Sequence, residues 1–495
     1  MFKTLIHTSE NDNLYIYNHQ SKLSILVHPD FRKAYEGSAD ADPYYIKKYE
    51  YLKKHNFFST VDPVNFGKID ESVIKNNIAQ VPQIVFETTD FCNLNCSYCV
   101  FGDFYEEFDV RNQKMINIDH AIILLKYIFE LKHKSKKNQL YISFHGGEPL
   151  FNGDFIKQIV DVVNQLKSGK EIEIVYTMTT NATLLHKYLH FLVENNFQLL
   201  ISLDGNKSNH SYRIFRKSKE NSFEKVIVNI DNLQNKYPKY FTDNVNFNAV
   251  LHDRNSVNDI YEFIYSRYHK IPRISELAPN DVNPSKKEFF NEIFHSYRRS
   301  ESEYIKDDSN LLPHEELLQY KDLCNENDLI KRVNEIVNNN PNKQITFNYY
   351  ISNITDLLSK EKKYLPTSTC LPFWKKLMLT TSSKLALCEK VNYHKLTVGE
   401  VNESVKIDIP KITQLYNFYY DHVKEKCQHC YINKSCDVCL FLMKNNNLDK
   451  LDTEEFVCDS FHDLNTFVQK LHRIFSFLEK HPEDNSSIIE NIVII

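Results

Sequence analysis

Hydrophobic and polar positions alternate between two periods through the middle of the chain. Short runs rich in Val, Ile, Phe and Tyr predict strands at QIVFETTD (83–90), LYISFHGG (140–147), EIEIVYTMTT (171–180), QLLISLDG (198–205), NVNFNAVL (244–251) and PRISELAP (272–279). Between and after them, helical spacing fills 118–133, 154–167, 184–195, 222–237, 256–268 and 285–305. In the second of these, Phe155, Ile159, Val162, Val163 and Leu166 share one face. Strand and helix in alternation predict an α/β fold. Six βα units with right-handed crossovers curl a parallel sheet into a partial (β/α)6 TIM-like barrel or a complete one.

The flanks read differently. NLYIYN (13–18) and KLSILVHP (22–29) predict a hairpin across NHQS, with helices at 42–55 and 70–79, together a small α+β, winged-helix-like module. The stretch 281–365 is charged and mostly helical, with loops at NNNPNKQ (338–344) and EKKYLP (361–366). NTFVQKLHRIFSFLEKH predicts an amphipathic helix before the apolar end IIENIVII, which is expected to pack as a terminal strand or helix. The expected organisation is a module over 1–82, a barrel over 83–280, a helical bridge over 281–365, a cysteine-rich domain over 366–465 and a tail over 466–495.

Composition narrows the class. A chain of 495 residues, 42% hydrophobic, holds two to four domains with ample core material. Lys+Arg of 60 against Asp+Glu of 65 argues against an extended nucleic-acid or anionic-membrane surface. The longest apolar run near a predicted helix, AIILL (121–125), is far short of a membrane span. MFKTLIHTSENDN lacks the basic-then-apolar pattern of a secretory signal, so a cytoplasmic location is expected. Disulfides are rare there, and eleven cysteines need another explanation.

Ten of the eleven fall in two blocks. The first is Cys92-x3-Cys96-x2-Cys99. The second is Cys427-x2-Cys430-x5-Cys436-x2-Cys439, flanked by Cys370, Cys388 and Cys458, while Cys324 stands alone. Thiolates this close read as ligands for zinc or iron–sulfur. Structural zinc wants four ligands where the first block offers three, and His120, His133 and His145 lack finger-like spacing. Three cysteines suit a [4Fe–4S] cluster with one iron left open. The second block alone would also pass for a zinc ribbon or knuckle. The cysteine loop follows the first barrel strand, HGGEP (145–149) ends the second, TTNATLL (179–185) the third and SLDG (202–205) the fourth. Ligands of α/β barrels bind at the carboxyl ends of strands, so four motifs converge on one rim.

The cysteine trio with Tyr98 before its last member, then GGEP, then SLDG, resembles the radical S-adenosylmethionine (SAM) superfamily over about residues 85–280. The resemblance implies that Cys92, Cys96 and Cys99 hold a [4Fe–4S] cluster whose fourth iron is chelated by SAM. It implies reductive cleavage to a 5′-deoxyadenosyl radical that abstracts a substrate hydrogen. Gly146 and Gly147 would let backbone approach SAM, and Glu148 would accept from its amino group. Tyr98 would lie beside the adenine, Asn181, Ser202 and Asp204 around the ribose and methionine parts, and Arg213 against the SAM carboxylate. Ser211 stands where the family usually has Asp.

Cysteines 370–458 resemble the SPASM extension of radical SAM maturases, which carries auxiliary [4Fe–4S] clusters. By position, Cys370, Cys388 and Cys439 match ligands of a first auxiliary cluster, and Cys427, Cys430, Cys436 and Cys458 those of a second. The eighth cysteine of fully ligated relatives is missing from KEKKYLPTST (360–369). The first auxiliary cluster then has an open position for a substrate thiolate, which Cys324 can also fill. Glu389, beside Cys388, matches a carboxylate proposed to take a substrate proton; a solvated surface Glu is the other reading. Such maturases often grip a substrate leader through an N-terminal module, although a module that only covers the barrel is the alternative. The expected activity is a peptide maturase installing an intramolecular crosslink, thioether or carbon–carbon, in a ribosomal precursor peptide, with flavodoxin or ferredoxin as electron donor. Formylglycine formation on sulfatases and a non-catalytic iron–sulfur scaffold are the alternatives.

Overall fold

Three antiparallel strands begin the fold: β1 (Leu5–Thr8), β2 (Leu14–Asn18) and β3 (Leu23–Val27), in the order β1-β2-β3. The computed structural model describes residues 2–294 and 365–482, apart from positions 3, 21–22, 59, 103, 106–112, 133–138, 278–281, 390–396, 437, 443–455, 459 and 481. Cys324, most of the expected bridge and the IIENIVII end lie outside the described residues. The expected hairpin is present, with Asn18 opposite Leu23. β1 was not expected, because its four residues are too few to show a clear alternation. Helices α1 (Pro29–Glu36), α2 (Pro43–Lys54) and α3 (Glu71–Ala79) follow. α1 also goes beyond the expected elements, yet its ends are signalled locally. His28 caps the Asp30 N–H, Pro29 opens the first turn, and Gly37 closes the helix at φ 73°.

The barrel elements alternate as β4 (Gln83–Glu87), α4 (Ile118–Lys132), β5 (Gln139–His145), α5 (Gly153–Lys167), β6 (Glu173–Thr180), α6 (Leu185–Glu194) and β7 (Gln198–Ser202). They continue as α7 (Phe223–Lys236), α8 (Pro238–Asn244), β8 (Val245–Val250), α9 (Val257–Tyr268), β9 (Arg273–Ser275) and α10 (Lys287–Ile293). β4 to β9 pair in sequence order, all parallel. Each strand falls where the apolar run predicted it, and most stop short of the motif residues, which form the loops. The unexpected α8 arises at Pro238, which has no N–H to continue α7 and instead opens a new first turn.

The sheet does not end at β4. After the undescribed stretch come β10 (Leu377–Leu379), β11 (Lys384–Ala386), β12 (Thr397–Val401) and β13 (Val405–Ile407), then helices α11 (Ile409–Gln428) and α12 (Leu464–Lys480). β10 runs parallel to β4, with Leu377 opposite Ile84 and Leu379 opposite Phe86. The result is one ten-stranded sheet ordered β13-β12-β11-β10-β4-β5-β6-β7-β8-β9. The cysteine-rich region is therefore hydrogen-bonded to the first barrel strand.

One apolar core reaches from Ile74 and Ile78 of α3, through the barrel, to Tyr416, Tyr420 and Val423 of α11. Asn417 clamps this junction: its Nδ2 donates to Ile69 O at 2.8 Å, and its Oδ1 accepts from Ile69 N at 3.0 Å. β2 is buried on both faces. Leu14 and Ile16 face Phe31 of α1, while Tyr15 and Tyr17 face Phe467, Leu471 and Phe475 of α12. Glu479 at the end of α12 accepts from Ser9, Asn11, Asn13 and Tyr15, which fixes the helix against the N-terminal sheet. No described helix is long and apolar enough to cross a membrane.

Candidate active site

Backbone ties the rim at the carboxyl ends of β4 to β7 together. Gly147 N donates to Thr89 O at 2.8 Å and Glu148 N to Phe91 O at 2.9 Å, so the HGGEP loop lies directly on the cysteine loop. A Cβ on Gly147 would sit 2.0 Å from Phe91 O. One on Gly146, at φ +144°, would sit 2.3 Å from Thr89 O. These glycines thus let two stretches of the chain's own backbone approach closely. From the other side, Asn95 N donates to Ile214 O at 2.8 Å and Arg216 Nε to Cys92 O at 3.1 Å.

Glu148 is at the centre, 1% exposed. Its Oε1 accepts from Thr180 Oγ1 at 2.7 Å and Leu150 N at 3.2 Å, and its Oε2 from Asn181 N at 2.8 Å. Burial pushes its carboxyl up to about 7, against the lowering effect of these bonds. Asn181 continues the network. Its Nδ2 donates to Asn93 Oδ1 at 3.0 Å, and its Oδ1 accepts from Thr183 N and Oγ1 at 3.0 and 2.6 Å. Asn93 Nδ2 donates in turn to Thr183 Oγ1 at 2.8 Å. Ser202 is buried at the end of β7, paired with Asn248.

Asp204, fully buried, receives Arg213 in a fork: Nε to Oδ2 at 2.8 Å and Nη2 to Oδ1 at 2.9 Å. The Tyr98 hydroxyl donates to Oδ2, and Val250 N donates to Oδ1 at 3.0 Å. Burial alone would raise the Asp204 carboxyl, yet the Arg213 guanidinium, with His252 assisting, holds it well below the usual carboxylate range. The Arg213 guanidinium lies over the Tyr98 ring at 5.4 Å, and His252 stacks on that ring at 5.6 Å. Sequence reading set Tyr98, Asp204 and Arg213 separately around a ligand. The structure binds them first to one another, leaving Nη1 as the guanidinium nitrogen that Asp204 does not engage.

The thiols meet at the same rim. Cys92 Sγ accepts from Leu94 N at 3.4 Å and Asn181 Nδ2 at 3.7 Å, and Cys99 N donates to Cys96 O at 3.1 Å. Burial, with Glu148 and Cys99 nearby, pushes the Cys92 thiol up to about 12. Burial raises Cys96 as well, against the pull of Arg213. Metal coordination displaces such protons. N–H donors on a ligand sulfur and three thiols on one loop suit an iron–sulfur cluster. Among the described residues, no three Cys, His, Asp or Glu side chains are gathered as a single-ion site.

The second block resolves into two neighbourhoods. The buried Tyr416 has Cys439, Cys370 and Cys388 among its electrostatic neighbours, and its hydroxyl donates to Cys370 O at 3.4 Å. Cys427 has Cys436, Cys458 and Cys430 as its electrostatic neighbours. No disulfide joins the ten described cysteines. Cys430 Sγ accepts from His462 N at 3.4 Å. Glu389 is half-buried rather than fully solvated: Lys376 Nζ bonds its Oε1 at 2.9 Å and Oε2 at 3.1 Å, with side-chain exposures of 6% for Lys376 and 16% for Glu389.

Sequence reasoning missed Asn93, Arg216, Lys376 and the tyrosines of α11. Asn93 sits inside the Cys92–Cys96 gap and was legible there. The others come from long-range packing, which carries no local signal.

Residues 86–264 match the radical SAM superfamily. The chain is 29% identical over 217 residues to the cysteine-type anaerobic sulfatase-maturating enzyme of Clostridium novyi, covering 41% of this chain and 56% of that protein. It is 28% identical over 225 residues to the radical SAM cyclopropyl synthase TigE of Paramaledivibacter caminithermalis, covering 43% of this chain and 44% of that one. These matches span about half the length of each relative. The structure of native anSMEcpe with bound AdoMet aligns with a TM-score of 0.54 at 17% identity, over 83% of this chain and all of that one, a likeness of fold. The likeness to the radical SAM superfamily lies in residues 86–264, and that family implies a [4Fe–4S] cluster and SAM.

Proposed function

We propose that the chain is a radical SAM peptide maturase that installs an intramolecular crosslink, thioether or carbon–carbon, in a ribosomally made precursor. The observation that carries this reading is the hydrogen-bonded rim: one loop bearing three half-buried thiols, joined to Glu148, Asn181 and the Asp204–Arg213 pair. When bound, a [4Fe–4S] cluster and SAM supply a primary alkyl radical able to take hydrogen from an unactivated carbon, which acid–base groups cannot do. Cys92, Cys96 and Cys99 would hold the cluster. Glu148 would accept from the SAM ammonium, and Arg213 Nη1 would donate to its carboxylate while Asp204 fixes the guanidinium. Asn181 and Ser202 would border the remaining polar parts, and Tyr98 would lie beside the adenine while its hydroxyl holds Asp204.

Cys370, Cys388 and Cys439 would hold one auxiliary cluster, and Cys427, Cys430, Cys436 and Cys458 a second. Such clusters would accept the electron left after bond formation, and a flavodoxin or ferredoxin would supply the electron that cleaves SAM. Lys376 holds both oxygens of Glu389, which would take a proton as the substrate radical closes. The precursor leader adds as a further strand along β3, the outer strand of the N-terminal sheet, where Leu26 is 58% exposed.

The test is anaerobic reconstitution with SAM and reductant, assayed for 5′-deoxyadenosine and then for a precursor peptide that loses two hydrogens. No 5′-deoxyadenosine, even with candidate peptides, would favour a scaffold. Sulfatase maturation is the second reading, favoured by the likeness to sulfatase-maturating enzymes in sequence and fold. A hydrazide-reactive aldehyde on a sulfatase-derived peptide would select it.

A further inference from the structure

Tyr416 and Tyr420 lie one turn apart on the buried side of α11, at 3% and 2% exposure. Their hydroxyls have different surroundings. Tyr416 Oη donates to Cys370 O at 3.4 Å, a weak bond to the backbone of the cysteine loop. Tyr420 Oη is buried with no hydrogen-bond partner among the described residues, and its ring lies 6.1 Å from that of Tyr416, on the side where Cys370 and Cys439 act on it electrostatically. A phenol O–H buried without an acceptor costs free energy that Phe at the same position would avoid. Thiolate and sulfide sulfurs are the acceptors that an iron–sulfur cluster would bring to this place.

Resting on the reading that Cys370, Cys388 and Cys439 hold an auxiliary cluster, we propose that Tyr420 Oη donates a hydrogen bond to a sulfur on the Cys370–Cys439 side of that cluster. The bond sets the cluster's reduction potential. Reduction adds negative charge to the sulfurs, so an O–H aimed at one of them stabilises the reduced state and raises the potential. The position is a tuning one. It leaves the position that Cys370, Cys388 and Cys439 do not fill available to another ligand.

Tyr420→Phe in the full-length, iron-loaded chain tests this, because it removes one oxygen and keeps the ring. The expected result is unchanged iron per chain, one auxiliary signal shifted to more negative potential in an EPR-monitored titration, and loss of one exchangeable-proton coupling from that signal. Unmoved potentials and an unchanged proton coupling, with iron still present at the three-cysteine site, would overturn the tuning role alone. Loss of that site's iron in Tyr420→Phe would overturn it differently, making the oxygen an iron ligand. A wild-type chain whose iron content is unchanged by Cys370→Ala would remove both the inference and the auxiliary-cluster reading beneath it.

Discussion

Arg213 and Asp204 form a two-bond fork, 2.8 and 2.9 Å, in a place where Asp204 is wholly buried. A buried charge that loses its partner is left uncompensated, which is far costlier than losing a surface pair. Asp204→Asn is therefore expected to lower unfolding stability by about 3 kcal/mol, read by urea denaturation. Arg213→Lys keeps the charge but not the fork, and a smaller loss is expected. Wild-type stability in Asp204→Asn would mean the guanidinium finds another partner.

Glu148 provides a pH signature. Its folded pKa, about 7, lies above the ordinary 4.5, so the folded protein binds the extra proton between these values. The stability this contributes is fully present below about pH 4.5 and is lost as pH rises through about 7. Without SAM, wild type should lose on the order of 3 kcal/mol relative to Glu148→Gln across that window. Denaturation curves of both proteins at pH 5 and pH 8 check it. Parallel curves would place the titration elsewhere.

Gly147→Ala should damage the cysteine loop before it affects any ligand. The added carbon meets Phe91 O at 2.0 Å and Cys92 N at 2.8 Å, both backbone atoms that cannot rotate away. Expected is a loss of about four irons per chain, with the remaining iron retained. Iron analysis on the purified variant decides the point, and full iron content would show that the loop can shift at little cost.

Cys96→Ala should abolish 5′-deoxyadenosine formation, since no other described Cys lies on this loop besides Cys92 and Cys99. Wild type should carry about twelve irons by the cysteine arithmetic. Zinc in the C-terminal block with about four irons would refute the auxiliary-cluster assignment.

The barrel was legible because each strand is an apolar run and each helix keeps a 3.6-residue period. Glu148 and Asn181 were legible as polar residues at strand ends. Lys376 was not, because it matters only through Glu389, which pairing with β10 brings to it. β1 and α8 are too short for periodicity to separate them from loop. The pairing of Tyr98 with Asp204 also escaped: two residues 106 apart meet only once the strands are laid side by side.

The parallel register of β10 on β4 makes a ruler of the sheet. The chain turns at Thr381, whose N–H bonds Glu87 at 3.0 Å near the rim, and returns along β11 to Cys388 at the opposite end. Lys376, where the return ends, lies about four residues below Glu87, roughly 13 Å along the strands at 3.3 Å per residue. Groups seated at the two ends of this pair are held at a separation fixed by a backbone ladder rather than by a movable joint.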